Sequence, residues 1–308
     1  TLVIAAVIVM RKAKFRKLSW SRPFFLVILK KSLPFAVLVL LMSVYNRVDT
    51  VFIERLLGGD EGERQVGIYA HAFRLLDALN QFAWLFAVLL LPIYSRMIKL
   101  KEDVGRMTRL PYALLITSAI IVAMGSLFYR FEIMEWLYPK DSMQTAAEYA
   151  GQHRQSATVF GILMFGFLGS TTMYVYSTLL TANGNLRQLN LVALAGIGVN
   201  FLVNILLVPR MQATGAAVAS LATQLFTAGA YMALAHRIFR FKPDIAFISR
   251  IVIFTLVVIF LNFLCRQLRV DWKISFMVMM IASALSAFVL KLVNLPEMWR
   301  MVKERATP

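Results

Sequence analysis

Long apolar segments separated by short polar ones account for most of the chain. A helix that crosses the hydrocarbon core of a bilayer needs about 20 mainly apolar residues. Eight segments satisfy that requirement, and they occupy residues 33–56, 66–97, 110–129, 155–182, 187–208, 213–236, 247–265 and 273–294. Apolar and polar residues do not alternate within them, which argues against the strands of a membrane β-barrel. The pattern therefore predicts an all-α polytopic membrane protein with about eight complete transmembrane helices.

The first residues of the chain add a partial ninth segment. Residues 1–10 (TLVIAAVIVM) are apolar and stop at a basic run. Ten helical residues reach only about 15 Å, half the thickness of a bilayer core. We interpret residues 1–10 as the end of a truncated transmembrane helix and residues 11–32 as a basic cytoplasmic linker. The chain is then expected to be the C-terminal portion of a longer protein.

Composition and charge agree with a membrane location. Hydrophobic residues make up 59% of the chain and charged residues only 16%, whereas a soluble domain is typically about half apolar and a quarter charged. When the eight segments are threaded alternately through a bilayer, about two thirds of the 33 Lys and Arg fall on one side, which the positive-inside rule assigns to the cytoplasm. The net charge of +17 is thus a topology signal, and no nucleic-acid partner is expected.

The residues that usually carry metal or covalent chemistry are scarce and scattered. The chain has one cysteine, Cys265, and its three histidines, His71, His153 and His236, are far apart and outside any ligand motif. Neither a nucleophile elbow nor a phosphate-binding loop occurs. We therefore expect no metal site, no cofactor and no catalytic residue, and we interpret the protein as a non-enzyme.

Charged residues inside the first two complete segments are the informative exceptions, because each costs several kcal/mol unless it is paired or hydrated. Arg47 and Asp49 lie in segment 33–56, and Arg74 and Asp77 lie in segment 66–97. The loop between the two segments is short, so the helices should be neighbours. Counted from the segment boundaries, all four residues are expected at a similar depth in the outer half of the membrane.

Helical spacing arranges these residues on faces. Arg74, Asp77 and Gln81 share one face, whereas Arg47 and Asp49 point in roughly opposite directions and should not pair. A hydrated cavity that contacts an anionic substrate and a structural ion-pair cluster both remain open. Arg47 and Arg74 are the candidate substrate-binding residues, since guanidinium forms bidentate hydrogen bonds with phosphate. The polar residues that would line the cavity, form ion pairs or couple transport to a proton or sodium are Asn46, Asp49, Thr50, Asp77 and Gln81.

Several segments carry a resemblance to a known family. They are YNRVDTVFIERLLGG (45–59), VGIYAHAFRLLDAL (66–79), LLLPIYSRM (89–97), LTANGNLRQLN (180–190) and VNFLVNILLVPRMQATGAAVASLATQL (199–225). In this order, over roughly residues 30–230, they resemble the polysaccharide (O-antigen or lipid-linked oligosaccharide) flippase branch of the multidrug/oligosaccharidyl-lipid/polysaccharide exporter superfamily.

The resemblance implies a fold and an activity. Residues 33–236 would form the second six-helix lobe of a two-lobe transporter, and residues 237–308 would add two C-terminal helices and a cytoplasmic tail. Members of the family export lipid-linked oligosaccharide units from the cytoplasmic to the outer leaflet by alternating access. The implied partners are the lipid bilayer, a lipid-linked anionic glycan and the missing N-terminal lobe, and the implied location is the cell inner (cytoplasmic) membrane.

Two alternative functions stay open at the level of sequence. A cation-coupled multidrug antiporter would use a membrane-embedded acid together with an ion. A membrane-embedded polysaccharide polymerase or ligase would need a longer outer loop rich in Arg, His or acidic residues. The longest outer loop, 130–154, begins with FEIMEWLYP, which we interpret as a turn of interfacial helix.

Overall fold

The computed structural model of the protein describes residues 21–140, 145–242 and 244–293, without the side chains of residues 45 and 46. The truncated helix predicted over residues 1–10 lies outside these ranges. The described part contains nine helices: α1 (Arg22–Leu57), α2 (Gly59–Lys99), α3 (Gly105–Phe128), α4 (Arg130–Leu137), α5 (Ala146–Ala182), α6 (Leu186–Met211), α7 (Ala213–Phe239), α8 (Ile245–Arg266) and α9 (Trp272–Val289). All except α4 are long and apolar enough to cross a membrane, which confirms the predicted all-α polytopic membrane protein.

The first two helices begin earlier than their apolar segments suggested. α1 begins at Arg22, so the last part of the segment predicted as a linker is helical. α2 begins at Gly59, seven residues before the predicted start. Gly58 has φ 66°, a left-handed conformation that glycine adopts without steric cost, and this lets the chain reverse within one residue. The polar first turns of α2 then stay helical, with acidic Asp60 and Glu61 favourably placed at the N-terminus of the helix.

Alternation of the long helices puts the α1–α2, α6–α7 and α8–α9 turns and the short helix α4 at one end of the bundle. We call it the outer end, after the side predicted from the charge bias. Polar contacts join the helices there. The Gln65 amide donates to Gln155 (3.1 Å) and to Gln212 (2.9 Å), and Arg266 pairs with Glu132 at 2.7 Å. α4 occupies the position predicted for the interfacial turn.

Helix α5 forms the centre of the packing. Its outer half contacts α2, α4 and α7 in one apolar cluster that contains Leu76, Met134 and Leu163. Its inner half lies in a second cluster with α1, α2, α6 and α7, around Leu179 and Tyr231. α8 and α9 join the bundle through α3 and keep most of their apolar side chains exposed, as expected of helices that face lipid.

An ion pair joins α3 to the N-terminal cap of α8 at the inner end of the bundle. Arg109 on α3 forms an ion pair with Asp244, which caps α8 by accepting a hydrogen bond from the Phe247 N–H at 2.9 Å. That backbone hydrogen bond, reinforced by the Arg109 charge, lowers the pKa of the Asp244 carboxyl. The ion pair is consistent with an inner end that carries most of the basic residues.

Candidate functional site

A carboxylate is buried between α1, α2 and α6. Asp49 on α1 is only 2% exposed. Its Oδ2 accepts a hydrogen bond from the Tyr69 hydroxyl on α2 at 2.8 Å, and its Oδ1 accepts from the side-chain amides of Asn200 at 2.9 Å and Asn204 at 2.8 Å on α6. We call these four residues the Asp49 cluster. It draws three helices together at one point of the bundle.

All the donors to Asp49 are neutral. None of the Lys, Arg or His side chains in the described ranges forms a salt bridge with it. A buried carboxylate keeps its charge at a large desolvation cost unless a proton or a cation compensates it. The Asp49 cluster is therefore chemically suited to take up and release one positive charge.

Two amide oxygens belong to the same cluster. The Asn204 side-chain oxygen is buried without a hydrogen-bond partner in the described part of the chain. The Asn200 side-chain oxygen accepts from the Asn204 amide at 3.0 Å. Both asparagines turn their N–H groups toward Asp49, so the site as it stands suits a proton. Carboxylate and amide oxygens are the ligands that hard cations prefer, and a monovalent cation would require the amides to turn their oxygens toward Asp49.

The two candidate arginines lie on the opposite side of their helices from the cluster. Arg47 on α1 and Arg74 on α2 are both exposed. Because Arg47 and Asp49 are two residues apart, the exposed side chain of Arg47 and the buried one of Asp49 agree with the predicted opposite faces. Asp77 and Gln81 are also exposed, on the face of α2 that carries Arg74.

The exposed charges are not paired with each other. Ion pairs in the described ranges include Arg64 with Glu61, Arg109 with Asp244 and Arg266 with Glu132. Arg47, Arg74 and Asp77 take part in none of them. Guanidinium groups in spanning helices avoid lipid, so an unpaired one faces water, a ligand or another part of the protein. The arrangement resembles the wall of a polar cavity more than a structural ion-pair cluster.

The relative depth of the arginines differs from the expectation. Arg47 lies ten residues before the end of α1 at Leu57, and Arg74 lies fifteen residues after the start of α2 at Gly59. At 1.5 Å per residue, Arg74 is about 7 Å farther from the outer turn than Arg47. The equal depth inferred from the sequence was wrong because α2 starts seven residues earlier than its apolar segment.

Two further candidates have less defined roles. The Thr50 hydroxyl donates to the Arg47 carbonyl at 2.9 Å, a local bond within α1 that many helical threonines make. The side chain of Asn46 lies outside what the structure describes.

Sequence reasoning missed the partners of Asp49. Tyr69, Asn200 and Asn204 were not selected as site residues. The signal was present in α6, where the two asparagines are four residues apart and therefore share a face of an otherwise apolar helix. Their connection to Asp49 spans about 150 residues of chain and follows only from the packing of α1 against α6.

Comparisons with known proteins agree with this architecture. Residues 1–98 match the family model described as polysaccharide biosynthesis protein. The solved structure of a lipid II flippase, MurJ in its inward closed conformation, superposes with a TM-score of 0.66 at 14% sequence identity. The match covers 94% of this chain and 59% of the flippase, so the chain spans about three fifths of that protein. None of the curated proteins matches the sequence.

The two matches concern different parts of the chain. The family model concerns the first third of the chain, which includes the α1–α2 hairpin with Arg47, Asp49 and Arg74. The superposition concerns the arrangement of nearly all the helices. Together they show that this multi-pass membrane protein has the fold of the MurJ structure and that its first third is similar to a polysaccharide biosynthesis family.

Proposed function

We propose that this chain is the second lobe of a transporter that flips lipid-linked oligosaccharide or polysaccharide repeat units from the cytoplasmic to the outer leaflet by alternating access. The observation that carries the proposal is a pair of exposed arginines within spanning helices that form no ion pair with the described residues, on a fold shared with a lipid II flippase. The rest of the transport route is contributed by an N-terminal lobe of the same protein, in the cytoplasmic (inner) membrane.

Arg47 and Arg74 are the proposed contacts for the anionic part of the substrate. A pyrophosphate presents several oxygens with delocalised charge, and two guanidinium groups can each form bidentate bonds with it. The depth difference of about 7 Å suits an extended head group that passes one arginine before the other. Asp77 and Gln81 are placed on the face of Arg74 and would help to hydrate the route.

The Asp49 cluster is the proposed coupling site. Uptake of one proton or hard cation would neutralise the carboxylate and change which of its neutral donors are satisfied. Because the donors come from α2 and α6, such a change alters the preferred packing of α1 against both helices. Transport by this mechanism forms and breaks no covalent bond in the substrate, and the protein acts as a transporter.

The first experiment deletes the complete gene and locates the lipid-linked glycans. Pools are extracted from spheroplasts with and without an impermeant oxidant that modifies sugars only in the outer leaflet. Completed repeat units that stay protected are expected. Units that are oxidised but unpolymerised would contradict the proposal in favour of a polymerase or ligase, and an unchanged pool would favour an exporter of drugs.

The second experiment complements the deletion with Arg47→Gln/Arg74→Gln. Export is expected to fall by about 100-fold or more, because each arginine contributes about 1.5–3 kcal/mol of charge-assisted hydrogen bonding. The matched control is Arg210→Gln/Arg269→Gln, which removes two exposed charges outside this face. Normal export by the first variant, at normal membrane abundance, would rule out the assignment of the two arginines.

A third experiment tests coupling through Asp49→Asn. This substitution keeps the size of the side chain and removes the charge. Export in inverted vesicles should lose its dependence on the imposed proton or sodium gradient, whereas Asp77→Asn should retain it. Unchanged gradient dependence in Asp49→Asn would remove the cluster from the coupling mechanism.

A further inference from the structure

A cavity of about 300 Å³ lies at the outer end of the bundle, away from the Asp49 cluster. It is enclosed by α2, by α4 and the residues that follow it, and by the first turns of α5. Its polar lining consists of His71, Tyr138, Tyr149, Gln152, His153 and Ser156. Its volume is at the lower limit of small-molecule sites, which suits one or two rings of a ligand.

Two stacked ring pairs shape the cavity. The imidazole of His71 lies against the ring of Tyr138 with centroids 4.0 Å apart, and that of His153 lies against Tyr149 at 5.5 Å. The Tyr138 hydroxyl donates to the His71 carbonyl oxygen at 3.3 Å, and the Tyr149 hydroxyl donates to the Tyr138 carbonyl oxygen at 3.4 Å. These contacts join α2 to α5 through the segment after α4 and fix the rings in place.

Three side chains of the cavity wall keep their hydrogen-bonding groups available. In the described ranges, the side chains of His71, His153 and Ser156 form no hydrogen bond, although Ser156 is only 7% exposed. Imidazole nitrogens and a hydroxyl can both donate and accept. A ligand or water that enters the cavity can therefore bond to these three side chains.

The character of the lining restricts the ligand. Among the nine described residues that line the cavity there is no Asp, Glu, Lys or Arg, and three are apolar, including Met134 and Leu137. An ionic ligand would find no counter-charge within this lining. A sugar ring has both an apolar face, which packs on aromatic and aliphatic side chains, and hydroxyl groups, which match imidazole, amide and hydroxyl partners. The lining therefore fits a neutral sugar.

The cavity wall at His71 lies about one helical turn from the proposed phosphate contact, Arg74. His71 and Arg74 are three residues apart on α2 and so lie on neighbouring positions of one face. Arg74 is exposed, and His71 forms part of the cavity wall. A ligand whose phosphate contacts Arg74 can extend toward the outer end and place its next unit in the cavity.

From this geometry we propose that the cavity is a sugar subsite that holds a neutral glycosyl unit of the glycan as it arrives at the outer end. The inference rests on the proposed function, because it takes the phosphate-bearing substrate of that function as its ligand. The subsite would bind the sugar part of the substrate, which the arginines do not recognise.

The test measures binding of two separate probes to the complete protein in detergent by calorimetry. The first probe is the oligosaccharide released from the cell's own lipid-linked pool by mild acid and freed of phosphate, and the second is inorganic pyrophosphate. His71→Phe/His153→Phe keeps the stacked rings and removes the ring nitrogens. It should weaken oligosaccharide binding by about tenfold or more and leave pyrophosphate binding unchanged. Arg74→Gln should weaken pyrophosphate binding and leave oligosaccharide binding unchanged.

Controls separate this proposal from a folding defect and from the proposed function. His236→Phe makes the same change at a histidine of the inner end. Ser156→Ala is a milder second variant, expected to weaken oligosaccharide binding about threefold. Oligosaccharide binding that is absent from the wild type, or equal in all variants, would overturn the subsite. In that case the deletion strain would still accumulate protected lipid-linked glycans. If the proposed function itself fails, the deletion strain accumulates no protected glycans.

Discussion

Arg47 and Asp49 are two residues apart on one helix and have opposite surroundings. Asp49 is buried and accepts three hydrogen bonds from neutral groups on α2 and α6, whereas Arg47 is exposed and unpaired in the described part of the chain. A helix turns about 100° per residue, so a two-residue step is enough to separate the packed side of the lobe from its open side. A charged residue within a spanning segment can thus either join helices through buried hydrogen bonds or line an open polar surface.

The buried Asp49 carboxylate contributes to the packing of the helices, whereas the exposed arginines do not. Removing Asp49 disturbs groups on three helices. Removing Arg47 or Arg74 disturbs only the surface on which they lie. Substitutions of Asp49 and its donors should therefore lower both stability and transport, whereas substitutions of the two arginines should lower transport alone.

The largest effect on stability is expected for Asp49→Ala. The substitution removes the Asp49 acceptor from the Tyr69 hydroxyl and the Asn200 amide and leaves the Asn204 amide with only its bonds to Asn200, at about 1–3 kcal/mol for each buried hydrogen bond that water does not replace. We expect a loss of about 3 kcal/mol or more in the free energy of unfolding, against about 0.5 kcal/mol or less for Arg47→Ala. Thermal unfolding followed by circular dichroism in detergent measures both, and equal losses would contradict the contrast.

A smaller loss is expected for Gly215→Ala on α7. A Cβ at this position would lie 2.6 Å from the backbone carbonyl carbon and oxygen of Leu207, which cannot move away as a side chain can. Overpacking of this kind costs about 1–3 kcal/mol. Since α6 carries Asn200 and Asn204, the shift should also loosen the Asp49 cluster. Gly198→Ala, with open space around the added carbon, is the control and should unfold nearly as the wild type does.

Tyr69→Phe should cost less again. It removes a single donor from Asp49 and keeps the ring, which stacks on Phe73 with centroids 5.6 Å apart. A hydrogen bond to a charged group contributes about 1.5–3 kcal/mol, and the two asparagines partly compensate. We expect a loss of about 1.5 kcal/mol. The same unfolding measurement decides it, and a loss as large as that of Asp49→Ala would mean that the ring and not the hydroxyl holds the cluster.

The smallest effect is expected for Thr50→Ala. The hydroxyl bonds only to the Arg47 carbonyl within α1, and such local bonds compete with water. Stability should change by about 0.5 kcal/mol or less and export should stay near normal. An export defect would show that Thr50 contacts substrate on the same side as Arg47, which makes this variant a sensitive probe of the open face.

Much of the fold could be predicted from the sequence. Apolar runs of sufficient length require helices in a bilayer, because every backbone group must be satisfied internally, and this produced the eight spans and the α4 turn. The spacing of Arg47 and Asp49 was enough to place them on opposite faces. The motifs around the α1–α2 hairpin and α6 predicted the superfamily that the family match and the fold support.

The errors and omissions arose where polar residues interact over long distances. The start of α2 was placed too late because the residues from Gly59 to Gln65 are polar, yet they remain helical by contacts with Gln155 and Gln212 at the outer end. The cavity at His71 and His153 was not foreseen, since the two histidines are separated by most of α2, all of α3 and α4, and the first turns of α5.

The class of protein, the spans and the candidate charges follow from the sequence, because they depend on local composition and helical period. The surroundings of each charge follow from the packing of the helices. Asp49 has neutral donors on α2 and α6, Arg47 and Arg74 form no ion pair within the described ranges, and His71 and His153 line one cavity. Desolvation and hydrogen bonding depend on which helices approach each other, and that approach is a property of the whole bundle.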